Sequence, residues 1–235
     1  MNIAIILAGG VGTRMQQEVP KQFIPVNDKP LIIYTLEAFQ RHPEIDGILA
    51  VCIDGWHDIL KAYAKQNQIT KLKWVVDGGK TGQESIRNGV YALKEVCQPE
   101  DIIIIHDGIR PLVEESILSD VIVTCRMYGN AVTSMPYNEQ IFVKKDERRT
   151  EAYIPRETLR RVSTPQAYSY QKLLWAYQKA FAEEKGIYGS AYTNTMMVDL
   201  GETLYFASGS DKNIKITTQE DLDLFKALLS MKNCH

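Results

Sequence analysis

Short apolar runs and amphipathic stretches alternate along most of this chain. Ile3 to Leu7 is an unbroken apolar run, the pattern of a strand buried on both faces of a parallel sheet. Ile48 to Ile53 (ILAVCI) repeats it, Trp74-Val75-Val76 is a shorter version, and Ile102 to Ile105 places four isoleucines in succession. Between these lie helical patterns. LIIYTLEAFQRH sets Leu31, Tyr34, Thr35, Ala38 and Phe39 near helical spacing with Pro30 in the first turn, Trp56 to Gln66 is a second helix, and Glu84 to Val96 aligns Ile86, Val90 and Leu93 on one face. This alternation predicts an α/β fold: a doubly wound, mostly parallel, Rossmann-like sheet with ligands at the carboxyl ends of its strands.

The pattern changes at Tyr137 to Arg161, where Gln140 to Lys144 and Glu151 to Ile154 are strand-like runs around the charged turn Asp146-Glu147-Arg148-Arg149. A two-stranded ribbon is marginal alone and needs something to pack on. It is either a hairpin folded onto its own domain or a protruding β-arm that reaches a second subunit. Beyond it, Gln171 to Glu184 is helical, Thr203 to Ser208 and Asn213 to Thr217 form a predicted strand pair, and a C-terminal helix follows. Thr218 is its predicted N-cap, with Leu222, Phe225 and Leu229 on its buried side.

With 235 residues there is length for one large domain or two small ones, and without a linker or repeat residues 1–235 read as a single domain. The net charge of −2 argues against a nonspecific nucleic-acid binder. Four cysteines lie far apart with no CxxC pair, which suggests neither a zinc site nor a disulfide framework. No stretch approaches the roughly 18 apolar residues of a membrane span. The apolar N-terminus runs into a glycine-rich turn, so no signal peptide is expected and a reduced cytoplasm is the expected compartment.

That turn carries the first candidate chemistry. Ala8 ends the opening strand, Gly9, Gly10 and Gly12 follow, then Arg14 and, seven residues on, Lys21. Glycines after a buried strand bring backbone N–H groups close to a ligand, and the two cations add full charges for phosphate oxygens. Neither GxxxxGK[ST] nor GxGxxG is satisfied. On the residues alone a triphosphate cradle competes with a simple strand-to-helix turn. Likewise, Asp107 and Arg110 in IIIIHDGIRP sit just past a buried strand, where the aspartate could hold Mg²⁺ or cap a turn. His106 reads as structural, Ser85 as an N-cap or a base contact, and Lys215 as a solvated strand residue or a phosphate ligand.

The string LAGGxGxRM…PKQF resembles the signature loop of the sugar-nucleotide pyrophosphorylase superfamily. PKQF and HDGIRP together resemble the polyol-phosphate cytidylyltransferases, whose branches use 2-C-methyl-D-erythritol 4-phosphate or ribitol 5-phosphate. The resemblance covers essentially the whole chain and implies the nucleotide-diphospho-sugar transferase type of fold. It implies catalytic roles for Arg14, Lys21 and Lys215, the last in NIKIT. It implies nucleotide binding by Ala8, Gly9, Gly10, Gly12, Gly79, Ser85, Asp107 and Gly108, with Mg²⁺ on Asp107. It places Arg156, Thr164, Arg110 and Glu139 on the acceptor side. Arg156, eight residues before Thr164-Pro165-Gln166, would act across a homodimer formed through an arm at about 137–158. Three departures stand out: Gly82 where the family usually has an arginine, Pro136-Tyr137-Asn138-Glu139 in place of a PxxDT-type string, and Tyr192-Thr193-Asn194-Thr195 in place of the acidic TDDAS or TDEAS. LAGG in place of AAG leans toward the ribitol-phosphate branch.

The implied function is transfer of CMP from CTP to a polyol phosphate, with neither a nucleic acid nor a membrane as partner. Ribitol 5-phosphate or a similar alditol phosphate for a surface polymer is the favoured acceptor, and 2-C-methyl-D-erythritol 4-phosphate for isoprenoids the alternative. A noncatalytic nucleotide sensor that lost turnover with the TDDAS acid is the alternative of another class.

Overall fold

The computed structural model describes residues 1–10, 19–189 and 192–232. In chain order the elements are β1 (Asn2–Ala8), a small hairpin of β2 (Pro25–Val26) and β3 (Lys29–Pro30), α1 (Leu31–Arg41), β4 (Gly47–Cys52), α2 (His57–Gln66), β5 (Leu72–Asp77), α3 (Gly82–Ala92), β6 (Ile102–Asp107) and α4 (Glu115–Tyr128). There follow β7 (Asn130–Pro136), β8 (Ile141–Asp146), β9 (Arg149–Ile154), β10 (Arg160–Ser169), α5 (Tyr170–Ala182), α6 (Thr193–Asp199), β11 (Phe206–Ser208) and α7 (Gln219–Lys232).

Seven strands form one sheet in the order β11-β7-β10-β6-β1-β4-β5. β6, β1, β4 and β5 run parallel, β10 is antiparallel to both β6 and β7, and β11 is parallel to β7. Because successive strand residues point to opposite faces, the isoleucine run of β6 divides. Ile102 and Ile104 pack with Ile32, Leu36 and Phe39 of α1 and Leu118 of α4. Ile103 and Ile105 pack with Ile86 and Val90 of α3 and Leu173 of α5. An unbroken apolar run was required because both faces are covered by helices.

β1 starts the sheet, β4 pairs on one side of it and β6 on the other, so the strand order reverses at β1. Leu7 lies opposite Asp107 and Ala8 opposite Cys52. The loops that leave β1, β5 and β6 therefore meet at one crevice beyond the carboxyl ends, where α/β sheets hold ligands. The expected strand over Asn213 to Thr217 is absent as a ladder, and Thr203 to Ser208 is a strand only over Phe206–Ser208. The segment at 213–217 makes one backbone–backbone hydrogen bond to a neighbouring segment, Ile216 N–H to Ile109 O at 2.9 Å. Its apolar alternation seats Ile216 in a third cluster with Ile24, Leu31, Leu222 and Phe225. Thr218 does cap α7: its hydroxyl accepts from Asp221 N–H at 3.2 Å, and the Asp221 carboxylate accepts from Thr217 and Thr218 N–H.

Gly89 brings α3 unusually close to the sheet. A methyl group there would lie 3.1 Å from both Ile5 Cγ2 and Val51 Cγ2. Gly89→Leu should lower the unfolding free energy by about 1–3 kcal/mol, the usual cost of overpacking. Urea unfolding of the two proteins measures it, and an unchanged midpoint would mean that the helix can withdraw freely.

Candidate active site

The crevice is built from three loops. Gly9 and Gly10 continue β1, and Gly78-Gly79 continue β5. The two meet closely, since a Cβ on Gly9 would sit 3.4 Å from Gly78 Cα. Gly79 admits no side chain, because its Cβ would overlap Glu84 Cβ at 2.2 Å. Its N–H donates to Ser85 Oγ at 2.9 Å, and the Ser85 hydroxyl donates to Thr81 O at 2.9 Å. Ser85 thus ties the loop to the first turn of α3. The N-cap is Thr81, whose Oγ1 accepts from Glu84 N–H at 3.1 Å, so the reading of Ser85 as a cap does not hold.

Lys21 stands on a single 3₁₀ turn, Lys21–Phe23, and points into the crevice. Next to it Gln22, 1% exposed, donates its amide to Ala8 O at 2.7 Å and to Gly10 O at 3.2 Å. Holding those carbonyls fixes the start of the glycine loop before any ligand arrives. Gln22 belongs to the PKQF string, and the fold gives it this role. A buried amide between a cation and an aromatic residue was the available signal, since such a group must find partners.

At the end of β6, Asp107 faces two cations. Lys215 Nζ lies 3.3 Å from Oδ1 and 3.2 Å from Oδ2, and Arg110 Nε lies 2.9 Å from Oδ2. Burial raises the carboxyl's pKa, but the ammonium of Lys215 and then the guanidinium of Arg110 outweigh it. Asp107 is held below its ordinary range and ionised. A ring of hydrogen bonds fixes this corner: Arg110 Nη1 donates to Asn213 O (2.7 Å), Asn213 Nδ2 to Thr164 O (2.7 Å), and Asp107 N–H to Thr164 Oγ1 (3.1 Å). Lys215 reaches Asp107 because Ile216 beside it is buried, which turns the lysine to the other side of an extended backbone.

A cleft of about 350 Å³ results. It brings together Ala8, Gly9, Gly10, Lys21, Gly79, Ser85, Asp107 and Lys215, all singled out from the sequence. Gly12 and Arg14 lie outside the described residues. Gly108, Arg110 and Thr164 support the cleft without lining it. The Gly108 N–H is committed to Leu7 O at 2.9 Å and its carbonyl to Thr35 Oγ1 at 2.9 Å. Glu139 and Arg156 are exposed near the β8–β9 ribbon, and neither lines the cleft of its own chain. Arg156 contacts Asn138 O at 3.3 Å and borders a separate groove of about 470 Å³ with Phe142 and Tyr153. Unforeseen at the cleft were Gln22, Lys80, Thr81 and Tyr192.

Residues 2–231 match the family described as 2-C-methyl-D-erythritol 4-phosphate cytidylyltransferase (IspD). The chain belongs to the IspD family. It is 61% identical over 232 residues to a Lacticaseibacillus paracasei protein named ribitol-5-phosphate cytidylyltransferase, with 99% of each chain covered. A Vibrio parahaemolyticus protein of that name is 37% identical, covering 97% of this chain and 96% of the relative. A Desulforamulus reducens protein named 2-C-methyl-D-erythritol 4-phosphate cytidylyltransferase is 35% identical, covering 99% and 97%. Among solved structures, 4-diphosphocytidyl-2C-methyl-D-erythritol synthase of Anaerococcus prevotii superposes with a TM-score of 0.81 at 25% identity, covering 97% of this chain and 96% of that one. In this IspD-family chain the mostly parallel sheet is therefore the shared scaffold, and the cleft lies at its strand-order reversal.

His106 sits directly behind the cleft, fully buried, with Nε2 3.1 Å from Arg110 O and its ring 5.2 Å from that of Phe39. Burial pushes its pKa from 6.5 down to about 4, so the ring is neutral and Nε2–H donates to the carbonyl. The unfolded chain binds the extra proton between those values, so this contribution to stability is complete above 6.5 and declines as pH falls toward 4. The His106 ring resonances should therefore stay unshifted in an NMR titration until pH nears 4. A midpoint near 6.5 would show that the ring is solvated.

Proposed function

We propose that this protein transfers CMP from CTP to ribitol 5-phosphate or a similar alditol phosphate, giving a CDP-polyol and pyrophosphate. The observation that carries the reading is the convergence of Lys21 and Lys215 with an ionised Asp107 beside two glycine loops at the β1/β6 crevice. The name of the 61%-identical relative supports the choice of acceptor. An oxygen of the acceptor phosphate attacks the α-phosphorus of CTP, and the bond to the β-phosphate oxygen breaks. The nucleophile is already anionic, so no general base is needed, and the neutral, buried His106 is free to be structural.

Catalysis then lies in positioning and charge. The loop amides hold phosphate oxygens, while Lys21, Lys215 and Arg14 offset the charge on the pentacoordinate phosphorus and the leaving pyrophosphate. Mg²⁺ fits the donor set present: it takes one or two carboxylates plus substrate phosphates, and Asp107 is one ionised carboxylate at the cleft. Bound there, it would neutralise triphosphate charge. Lys215, now paired with Asp107, would turn to the phosphates. Thr164, Arg110 and Glu139 are the residues proposed for the acceptor side. Residues 1–235 act as one domain in a cytoplasmic homodimer. Among the described residues no helix is long and apolar enough to cross a membrane.

Pyrophosphate release with CTP and a panel of polyol phosphates tests this reading. The largest kcat/KM is expected with CTP and ribitol 5-phosphate, with UTP, ATP and GTP poor substitutes. Preference for 2-C-methyl-D-erythritol 4-phosphate would move the protein to the other acceptor named among its relatives. No turnover with any acceptor, despite CTP binding, would make it a sensor.

Arg156 is proposed to hold the acceptor phosphate in the partner's active site. It is absent from the cleft of its own chain, and it adjoins a ribbon that among the described residues pairs with no other strand and exposes Phe142 (55%) and Tyr153 (70%). Arg156→Ala and Lys21→Ala subunits, each inactive alone, should regain part of the activity when mixed. No recovery after verified subunit exchange would mean that Arg156 serves its own chain or neither.

A further inference from the structure

Two of the positions where this chain departs from its family lie on the same cleft. Lys80, Thr81 and Gly82 line one part of it and Tyr192 another, although more than a hundred positions separate them in the sequence. Tyr192 is 57% exposed, a large ring left on an open surface. The Lys80 backbone is fixed, its N–H donating to Glu84 Oε2 at 2.7 Å, but among the described residues no carboxylate pairs with its ammonium. Gly82, on the same cleft, leaves room, since a Cβ there would meet nothing within 4 Å among the described residues.

The approach of these parts is built in. Thr193, next to Tyr192, is 1% exposed, and its Oγ1 lies 2.8 Å from the hydroxyl of Tyr177. The Tyr177 hydroxyl donates to Gln83 Oε1 at 2.8 Å, and Gln83 Nε2 donates to Gly186 O at 3.1 Å. Gln83 follows Gly82 directly and is itself 2% exposed. This buried chain fastens the start of α6 to the start of α3, so Tyr192 is carried by the wall that holds Gly79 and Ser85. Buried polar groups with complete partners fix geometry in this way.

We infer that Tyr192 and Lys80 form a nucleotide clamp across Gly82, the ring stacking on the base of the bound triphosphate and the ammonium pairing with its phosphates. The inference rests on the cytidylyltransferase reading and adds two binding residues to it. An aromatic face suits a base because every base offers a flat π surface, and a lysine with no protein partner is available to an anion. Gly82 supplies the space that a flat group entering between them requires.

The test is steady-state kinetics on the full chain with CTP and ribitol 5-phosphate, alongside calorimetric titration of CTP. Tyr192→Ala should raise the KM for CTP about tenfold, the scale of one lost base stack. Tyr192→Phe should keep it near normal. Lys80→Met should raise it severalfold and weaken its dependence on salt, because one ionic contact is lost. All three should leave the KM for the polyol phosphate unchanged, and since both side chains are exposed, thermal melting should be unaltered. An unchanged KM for CTP in Tyr192→Ala and Lys80→Met, with an active wild type, would overturn the clamp and leave the function standing. A rise confined to the polyol phosphate would overturn it too, by moving these residues to the acceptor side. A wild type that neither binds nor uses CTP would remove both.

Discussion

Asp107 carries a negative charge at the end of a buried strand, and much of the surrounding structure keeps that charge tolerable. A poorly solvated carboxylate needs cations and hydrogen bonds, and removing one partner of a fully buried pair costs about 3–5 kcal/mol. At 17% exposure Asp107 is close to that regime, while Lys215 at 34% is more accessible. Arg110 comes from the loop just beyond β6, Thr164 from the antiparallel neighbour β10, and Lys215 from near the end of the chain. One charge thus requires two distant segments to meet beside its own loop. The burial of Ile216 and the docking of α7 against Ile24 and Leu31 bring the last of them into place.

The strand order then sets what lies beside that charge. With β1 between β4 and β6, the first glycine loop lies next to Asp107 on one side and Gly78-Gly79 on the other. Gln22 holds two carbonyls of the first loop, and Ser85 holds the amide of the second. Gly89 lets α3, the helix that carries Ser85, approach the sheet. The cleft is preorganised by partners that themselves have no reacting atom to touch, the arrangement that electrostatic catalysis favours.

The ribbon follows different rules. Every residue of β9 and most of β8 are exposed, and among the described residues the pair is joined to no other strand. Surface ion pairs such as Lys145–Glu151 and Arg149–Asp146 stabilise it only slightly. Large exposed rings on a thin ribbon are the mark of a surface meant for contact, which is the ground on which Arg156 is proposed to serve a neighbouring subunit.

The sequence by itself determined the parts that depend on local pattern. Continuous apolar runs specify strands covered on both faces, and helical spacing specifies the helices between them, because each reflects burial that neighbouring residues share. Gly9, Gly10, Lys21 and Asp107 stood out beside buried strand ends, and Lys215 through the resemblance of NIKIT; the fold brings all five to one cleft. Tertiary structure alone decided which partners those groups meet. Asn213 to Thr217 has a strand's alternation but, among the described residues, no adjacent strand to pair with, and ladder formation depends on that neighbour, not on the segment. The Gly108 amide donates to Leu7, and the Arg110 guanidinium meets Asp107 and Asn213, partners that only the assembled sheet and the returning C-terminal segment supply. Gln22, Lys80 and Tyr192 gave little local signal, because a side chain's role there depends on groups far away in sequence. Those groups become neighbours only when the sheet, its helices and the returning C-terminal segment are packed together.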